Sequence, residues 1–299
     1  MNAIDRLMQA APACLLLAAS WTVAARPVHA DTRFDATVSG FVDEDSGKSF
    51  DLDLAFVPSE RLSFGAGAGR SDGELGATSF AGNSLRAVVD AHGERFGARL
   101  RWNRWQDADT FESRTLAFEP YFVAASGLQF TLIAQDRSFD VGYSVTGPAG
   151  RVVAQSVSFG GTGIGGELGW YGQAWSAYVR GVSYDYDSKL ARAVAAARAP
   201  GTRAFPRLAA LVNSVLTRTA GALDHEASIG IDRAFARSGL RFDLTGSRDA
   251  IDGSDSVSYT LAWRYEFSPR FGIEASVGAT DSDATPSTTF AGLSFSTHL

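Results

Sequence analysis

The chain has 299 residues, 27 basic and 33 acidic side chains and a formal net charge of −6. The acidic balance argues against a nucleic-acid partner, which usually selects a basic surface. Cys14 is the only cysteine, so no disulfide forms within the chain and no Cys-based metal site exists.

Residues 1–30 read as a cleaved signal peptide. Arg6 precedes an apolar stretch from Ala10 to Ala25, and Val28-x-Ala30 suits a signal peptidase. The cut is expected after Ala30, with Ala25 the second choice. Cys14 leaves with the signal. The remaining 31–299 form one domain with a net charge of about −7.

From there one beat repeats. Alternating segments run near 34–43, 49–58, 61–70, 84–92, 94–105, 112–124, 128–136, 158–170, 174–186, 220–235, 239–248, 256–267, 271–280 and 288–299. Most are about ten residues long, the length of a tilted transmembrane strand. Six connections are tight: Pro58–Arg61, His92–Glu94, Ser126–Gly127, Tyr171–Gln173, Ala236–Gly239 and Ser268–Arg270. The others are longer and polar: Glu44–Lys48, Ser71–Asn83, Gln106–Glu112, Arg137–Val157, Asp187–Thr219, Asp249–Asp255 and Asp281–Ser287. Short and long connections take turns, as when every hairpin at one end faces one compartment. About 14 strands are expected, or 12 if the weak segments 61–70 and 158–170 are not strands.

The stretch YTLAWRYEFSPRFGIEASVG puts Tyr259, Leu261, Trp263, Tyr265 and Phe267 on one face and Thr260, Ala262, Arg264 and Glu266 on the other. An interior of about eight strands can be filled by side chains, but one of about 14 cannot. The apolar face must then look outward, into lipid. Phe56, Phe96, Phe122, Phe130, Trp170, Trp175, Phe235, Phe242, Tyr265, Phe267 and Phe271 flank the tight turns, an aromatic ring at one interface. The fold class is therefore all-β: a transmembrane antiparallel β-barrel, because hydrocarbon tolerates no open sheet edge.

The same parity sends a charged set into the lumen: Arg86, Arg99, Arg101, Arg180, Arg241 and Arg264, with Asp35, Asp51, Asp53, Asp90, Glu119, Glu167, Asp224, Glu226, Asp232, Asp243, Glu266 and Glu274. Twelve acids against six arginines predict a modest cation preference. With a tight fourth turn, Arg86 is placed opposite Arg101 and two residues from Arg99, an arginine wall suited to anionic groups. The alternative role is bracing. Folding about Pro269 puts Arg264 opposite Glu274, a simple cross-strand pair.

Segment 188–221, rich in alanine, leucine and arginine around Pro200-Gly201, reads as two short helices on the extracellular side. It is either a lid in the mouth or a cap on the rim. The inner-face glycines Gly65, Gly67, Gly69 and Gly161, Gly163, Gly165 leave room for such a segment, or simply let strands bend.

The last segment, FAGLSFSTHL, carries Ala291, Leu293, Phe295, Thr297 and Leu299 on one parity. It resembles the C-terminal strand of the Gram-negative outer-membrane β-barrels, which assembly machinery reads. The family usually ends in Phe or Trp, where this chain has Leu299. The resemblance covers 31–299 as pattern, in size and strand count similar to monomeric fourteen-stranded porins without an N-terminal plug. It implies outer-membrane localisation, lipid and lipopolysaccharide around the barrel, the barrel-assembly machinery as a partner and small solutes as cargo.

Other chemistry is thin. Gly161–Gly166 matches G-x-G-x-x-G, but no helix follows to hold a pyrophosphate. Asp224-His225-Glu226 looks metal-binding, yet in a regular strand His225 points away from both acids. Ser183 and His225 share the outward parity near the outer rim, where an outer-membrane phospholipase would carry such a pair, though no orienting third residue is evident. The reading calls for a porin-like diffusion channel with no cofactor and no catalytic residue. Its rivals are a hydrolase using Ser183 and His225 and a non-conducting barrel serving adhesion or an envelope export complex.

Overall fold

The structure, a computed structural model, describes residues 32–44, 47–75, 78–107, 111–146, 152–188, 190, 222–251, 253–283 and 286–299. The expected signal peptide, 1–30, lies outside them, as does nearly all of the expected helical loop 188–221. Fourteen strands are present: β1 (Arg33–Asp43), β2 (Lys48–Ser59), β3 (Leu62–Leu75), β4 (Thr78–His92), β5 (Phe96–Asp107), β6 (Phe111–Val123), β7 (Leu128–Thr146), β8 (Val152–Tyr171), β9 (Trp175–Tyr186), β10 (Leu223–Ala234), β11 (Ser238–Asp249), β12 (Asp255–Ser268), β13 (Phe271–Ser282) and β14 (Thr288–His298). Each pairs antiparallel with its sequence neighbours, and β1 pairs with β14 to close a barrel. The closure is bonded to its last residue, with Phe34 N–H donating to Leu299 C=O at 3.0 Å and Leu299 N–H to Phe34 C=O at 2.8 Å. The strand count is fourteen and not twelve, since both doubtful segments pair fully as β3 and β8.

All six tight turns are present, their bounds within about two residues of the expected ones; the β4–β5 turn is the longer by one residue, Gly93 to Arg95, before β5 starts at Phe96. The other end differs in one respect. Ser71–Asn83 and Arg137–Val157 are not loops for most of their length. β3 and β4 continue pairing to Leu75–Thr78, and β7 and β8 to Thr146–Val152. Beyond the bilayer the outward row of β7 and β8 turns polar, at Ser138, Asp140, Ser156 and Ser158, while the hydrogen-bonded ladder goes on, so no lipid-facing stripe marks the extension.

The outward face is apolar and bare. Phe50 is 55% exposed, Leu132 70%, Ile164 74% and Phe295 52%. A continuous belt of such residues fits hydrocarbon, not water. At the tight-turn end Phe56, Phe96, Phe130, Trp170, Trp175, Phe235, Phe267 and Phe271 are all exposed. Arg233 lies among them, its guanidinium 4.7 Å from the Trp175 ring centroid and 4.9 Å from that of Phe235. Its charge sits at headgroup level over aromatic faces.

Following register partners once round the barrel from Arg33 returns to β1 about 14 residues further along. That stagger over fourteen strands tilts them by roughly 35° and sets a backbone cylinder of roughly 13 Å radius. One layer of side chains cannot fill it.

Candidate functional site

Every inward charge at mid-height originates from strand parity, and most are tied to one another across the wall. Arg86 on β4 reaches past β3 to β2, with Nη2 2.7 Å from Asp51 Oδ1 and 3.0 Å from Asp53 Oδ1. Arg99 on β5 grips Asp90 through Nε at 2.8 Å and Nη2 at 2.7 Å. Tyr121 donates its hydroxyl to the other Asp90 oxygen at 2.8 Å. Glu119 on β6, 2% exposed, is a hub. Arg101 is hydrogen-bonded to it, Arg180 Nη2 lies 3.4 Å away, and Arg99 Nη1 3.9 Å. Arg180 also pairs with Glu167 at 3.6 Å. Further round, Tyr178 donates to Asp243 Oδ1 at 2.8 Å, while Arg241 pairs with Asp243 at 2.9 Å and Glu274 at 3.3 Å. These pairs form three groups that together span the wall from β2 to β13. Their arginines keep 18–25% of side-chain surface accessible, so the charged heads meet the lumen while their stems cover the wall.

Glycine makes these reaches possible. A Cβ on Gly67 would meet the Arg86 guanidinium at 3.0 Å and overlap Asp53. A Cβ on Gly163 would fall 2.7 Å from the Tyr184 ring, and Tyr186 covers Gly161 in the same way. The space above these inner glycines is therefore occupied by neighbouring side chains, not held open for a lid.

Three expectations about pairing need correction. Arg86 lies opposite Asn103, not Arg101, because Gly93, Glu94 and Arg95 separate β4 from β5 and move the register by two. The arginine wall is accordingly neutralised, Arg99 facing Asp90 directly. Arg264 does stand opposite Glu274, but Glu274 pairs with Arg241 instead. Asp224 does not join the lumen set. A β-bulge between Leu223 and His225 turns it out, leaving its side chain 53% exposed.

That bulge bears on the outer rim too. Ser183 and His225 are direct cross-strand partners, as the parity implied. Asp224 Oδ2 lies 3.1 Å from His225 Nδ1, against the expectation that the two diverge. No hydrogen bond joins Ser183 to His225.

Arg137 was not foreseen as an inward residue, because β7 was expected to end one position earlier. It is 3% exposed, with its guanidinium 5.3 Å from the Phe139 ring and 4.9 Å from that of Tyr184. Around it, Trp105, Phe111, Phe139, Val141 and Phe159 form a buried cluster that also takes in Leu190 and Ala222, the two ends of the long β9–β10 connection. Extending the alternation by two residues, Arg137 then Phe139, would have shown the signal.

No protein-family description matches the chain, and no curated protein matches it in sequence. Solved structures do. The CymD monoaromatic hydrocarbon channel aligns over 91% of this chain and 89% of its own, at 10% identity and a TM-score of 0.51. OmpT with loop L8 deleted, an outer membrane protein of Vibrio cholerae, aligns over 91% and 99% at 10% identity and a TM-score of 0.46. The KdgM porin, in complex with disordered oligogalacturonate, aligns over 88% and 98% at 6% identity and a TM-score of 0.42. At these identities the likeness is one of fold.

Proposed function

We propose that this chain, an outer-membrane-type β-barrel, is a porin-like channel of the outer membrane for passive diffusion of small hydrophilic solutes. The observation that carries the reading is the water-accessible belt of charge within a barrel whose outside is bare hydrocarbon-facing surface. A wall bearing both signs, hydrated at mid-lumen, offers a polar path and no chemistry of its own. Selectivity is a modest preference for cations. Paired residues cancel locally, and among the described residues Glu226, Asp232 and Glu266 face inward without an ion pair, as does Arg264. The protein is exported by its N-terminal signal, folded by the barrel-assembly machinery and held as a monomer in lipid and lipopolysaccharide. Single-channel recording of the purified protein in planar bilayers tests this. Discrete steps, with a reversal potential of cation sign in a salt gradient, are expected. Absence of steps would refute it.

A second reading has one specific observation behind it, the Ser183, His225 and Asp224 grouping at the rim. A histidine oriented by an acid beside a serine is the arrangement of an ester hydrolase. We rank it below the channel because Ser183 makes no bond to His225. Lipid hydrolysis in mixed micelles, abolished by His225→Ala, would promote it.

A further inference from the structure

The inward charges divide into those consumed by the wall and those left over. We propose that the leftover trio near the tight-turn end, Arg264, Asp232 and Glu266, is a contact station for solutes carrying both a carboxylate and an ammonium group. This rests on the channel reading above.

Arg264 lies four residues above the β12–β13 turn, on the same parity as the buried Ala262, so it points into the barrel. It is exposed, whereas Arg86, Arg99, Arg101, Arg180 and Arg241 are all held by carboxylates. Its register partner across β13 is Glu274, which is engaged with Arg241. Its partner across β11 is Gly239, and the guanidinium lies along that gap, 3.1 Å from where a Cβ would stand. The glycine thus gives the side chain a track toward β10. Asp232 waits there, opposite Arg241 and without an ion pair of its own among the described residues. Glu266 is two residues from Arg264 on the same inner face and is also unpaired.

A guanidinium that is hydrated and unpaired can bind a carboxylate through its planar fork without first breaking a wall bond. A carboxylate within side-chain reach on either flank can receive an ammonium from the same small molecule. An uncharged solute gains from neither. A purely anionic solute gains from Arg264 but meets two acids.

The test is liposome swelling with serine, glycerate and erythritol, three solutes of similar size, in wild type, Arg264→Ala, Arg264→Lys and Asp232→Asn/Glu266→Gln. Heat-modifiable migration confirms that each variant is folded. Serine should enter faster relative to erythritol in wild type. Arg264→Ala should lower that ratio roughly two- to fivefold, with partial rescue by Arg264→Lys, as expected for one solvated charge contact. The double acid variant should lower it for serine while raising it for glycerate. A serine-to-erythritol ratio unchanged in Arg264→Ala overturns the station, even where single-channel steps are normal. Equal gains for glycerate and serine in wild type overturn the role of the two acids. Absence of both swelling and steps in wild type overturns the channel reading and the station with it.

Discussion

Glu119→Gln is the perturbation that loads the lumen wall most heavily. The carboxylate is buried and lies within 3.9 Å of three guanidinium groups, those of Arg99, Arg101 and Arg180. Removing one partner of a buried ion pair typically costs about 3–5 kcal/mol, because the remaining charge is left uncompensated. Here the arginines keep about a fifth of their surface in the lumen and hold second partners, Asp90 for Arg99 and Glu167 for Arg180. Water and those partners absorb part of the loss, so a destabilisation of about 2–3 kcal/mol is expected. Arg101 has no second carboxylate among the described residues and carries most of the cost. Urea unfolding in detergent micelles, followed by tryptophan fluorescence, measures it. The same change removes one negative charge from the lumen wall, so the reversal potential should move toward anions. A stability change below about 0.5 kcal/mol, the range of an ordinary surface substitution, would refute the bracing role assigned to Glu119.

Other outcomes follow from the same geometry. Gly97→Val should displace the Tyr121 ring, which lies over Gly97, from Asp90 and cost about 1–3 kcal/mol, and adding Tyr121→Ala should recover part of the loss in the same urea titration. Phe139→Ala should loosen the extracellular cluster by about 3 kcal/mol, read as earlier protease cleavage at that end while heat-modifiable migration is kept. Arg241→Gln frees Glu274 to take Arg264 but leaves Asp243 with Tyr178 alone, so the change should cost about 1–2 kcal/mol, and Arg264→Ala should cost more on that background than alone, a coupling that a double-mutant cycle detects.

Much of this barrel is legible in the amino-acid sequence. Alternation fixed the parity of residues such as Trp263 and Arg264, and the tight turns set which end is which, because a period of two admits only one inside once one face must meet lipid. What alternation does not carry is register. Arg86 was misplaced by two residues because the length of a turn, not its composition, decides which positions face each other. Arg137 escapes a reading keyed to the lipid-facing row, because that row turns polar at Ser138 and Asp140 while the apolar residues beyond it, Phe139 and Val141, lie on the inner face. Asp224 was misassigned because one bulged residue shifts parity locally, and nothing in Asp-His-Glu announces a bulge. The pairing of each arginine was likewise illegible, since Arg86, Arg180 and Tyr178 reach beyond their adjacent strands over glycine-bearing neighbours. The glycines were visible, but what lies on them depends on that register.

The central claim is that the apolar rows touch lipid and the charged rows touch lumen water. The mature chain expected from the sequence carries no cysteine, so single cysteines can be placed at Leu261, Trp263, Arg264 and Glu266 without background. In reconstituted vesicles, Arg264→Cys and Glu266→Cys should react with a charged, water-soluble thiol reagent, and a block of conductance should accompany the reaction. Leu261→Cys and Trp263→Cys should resist that reagent, and fluorophores attached there before reconstitution should be quenched by nitroxide-labelled lipid. The reverse pattern, with positions 261 and 263 open to water and 264 and 266 shielded, would contradict the account.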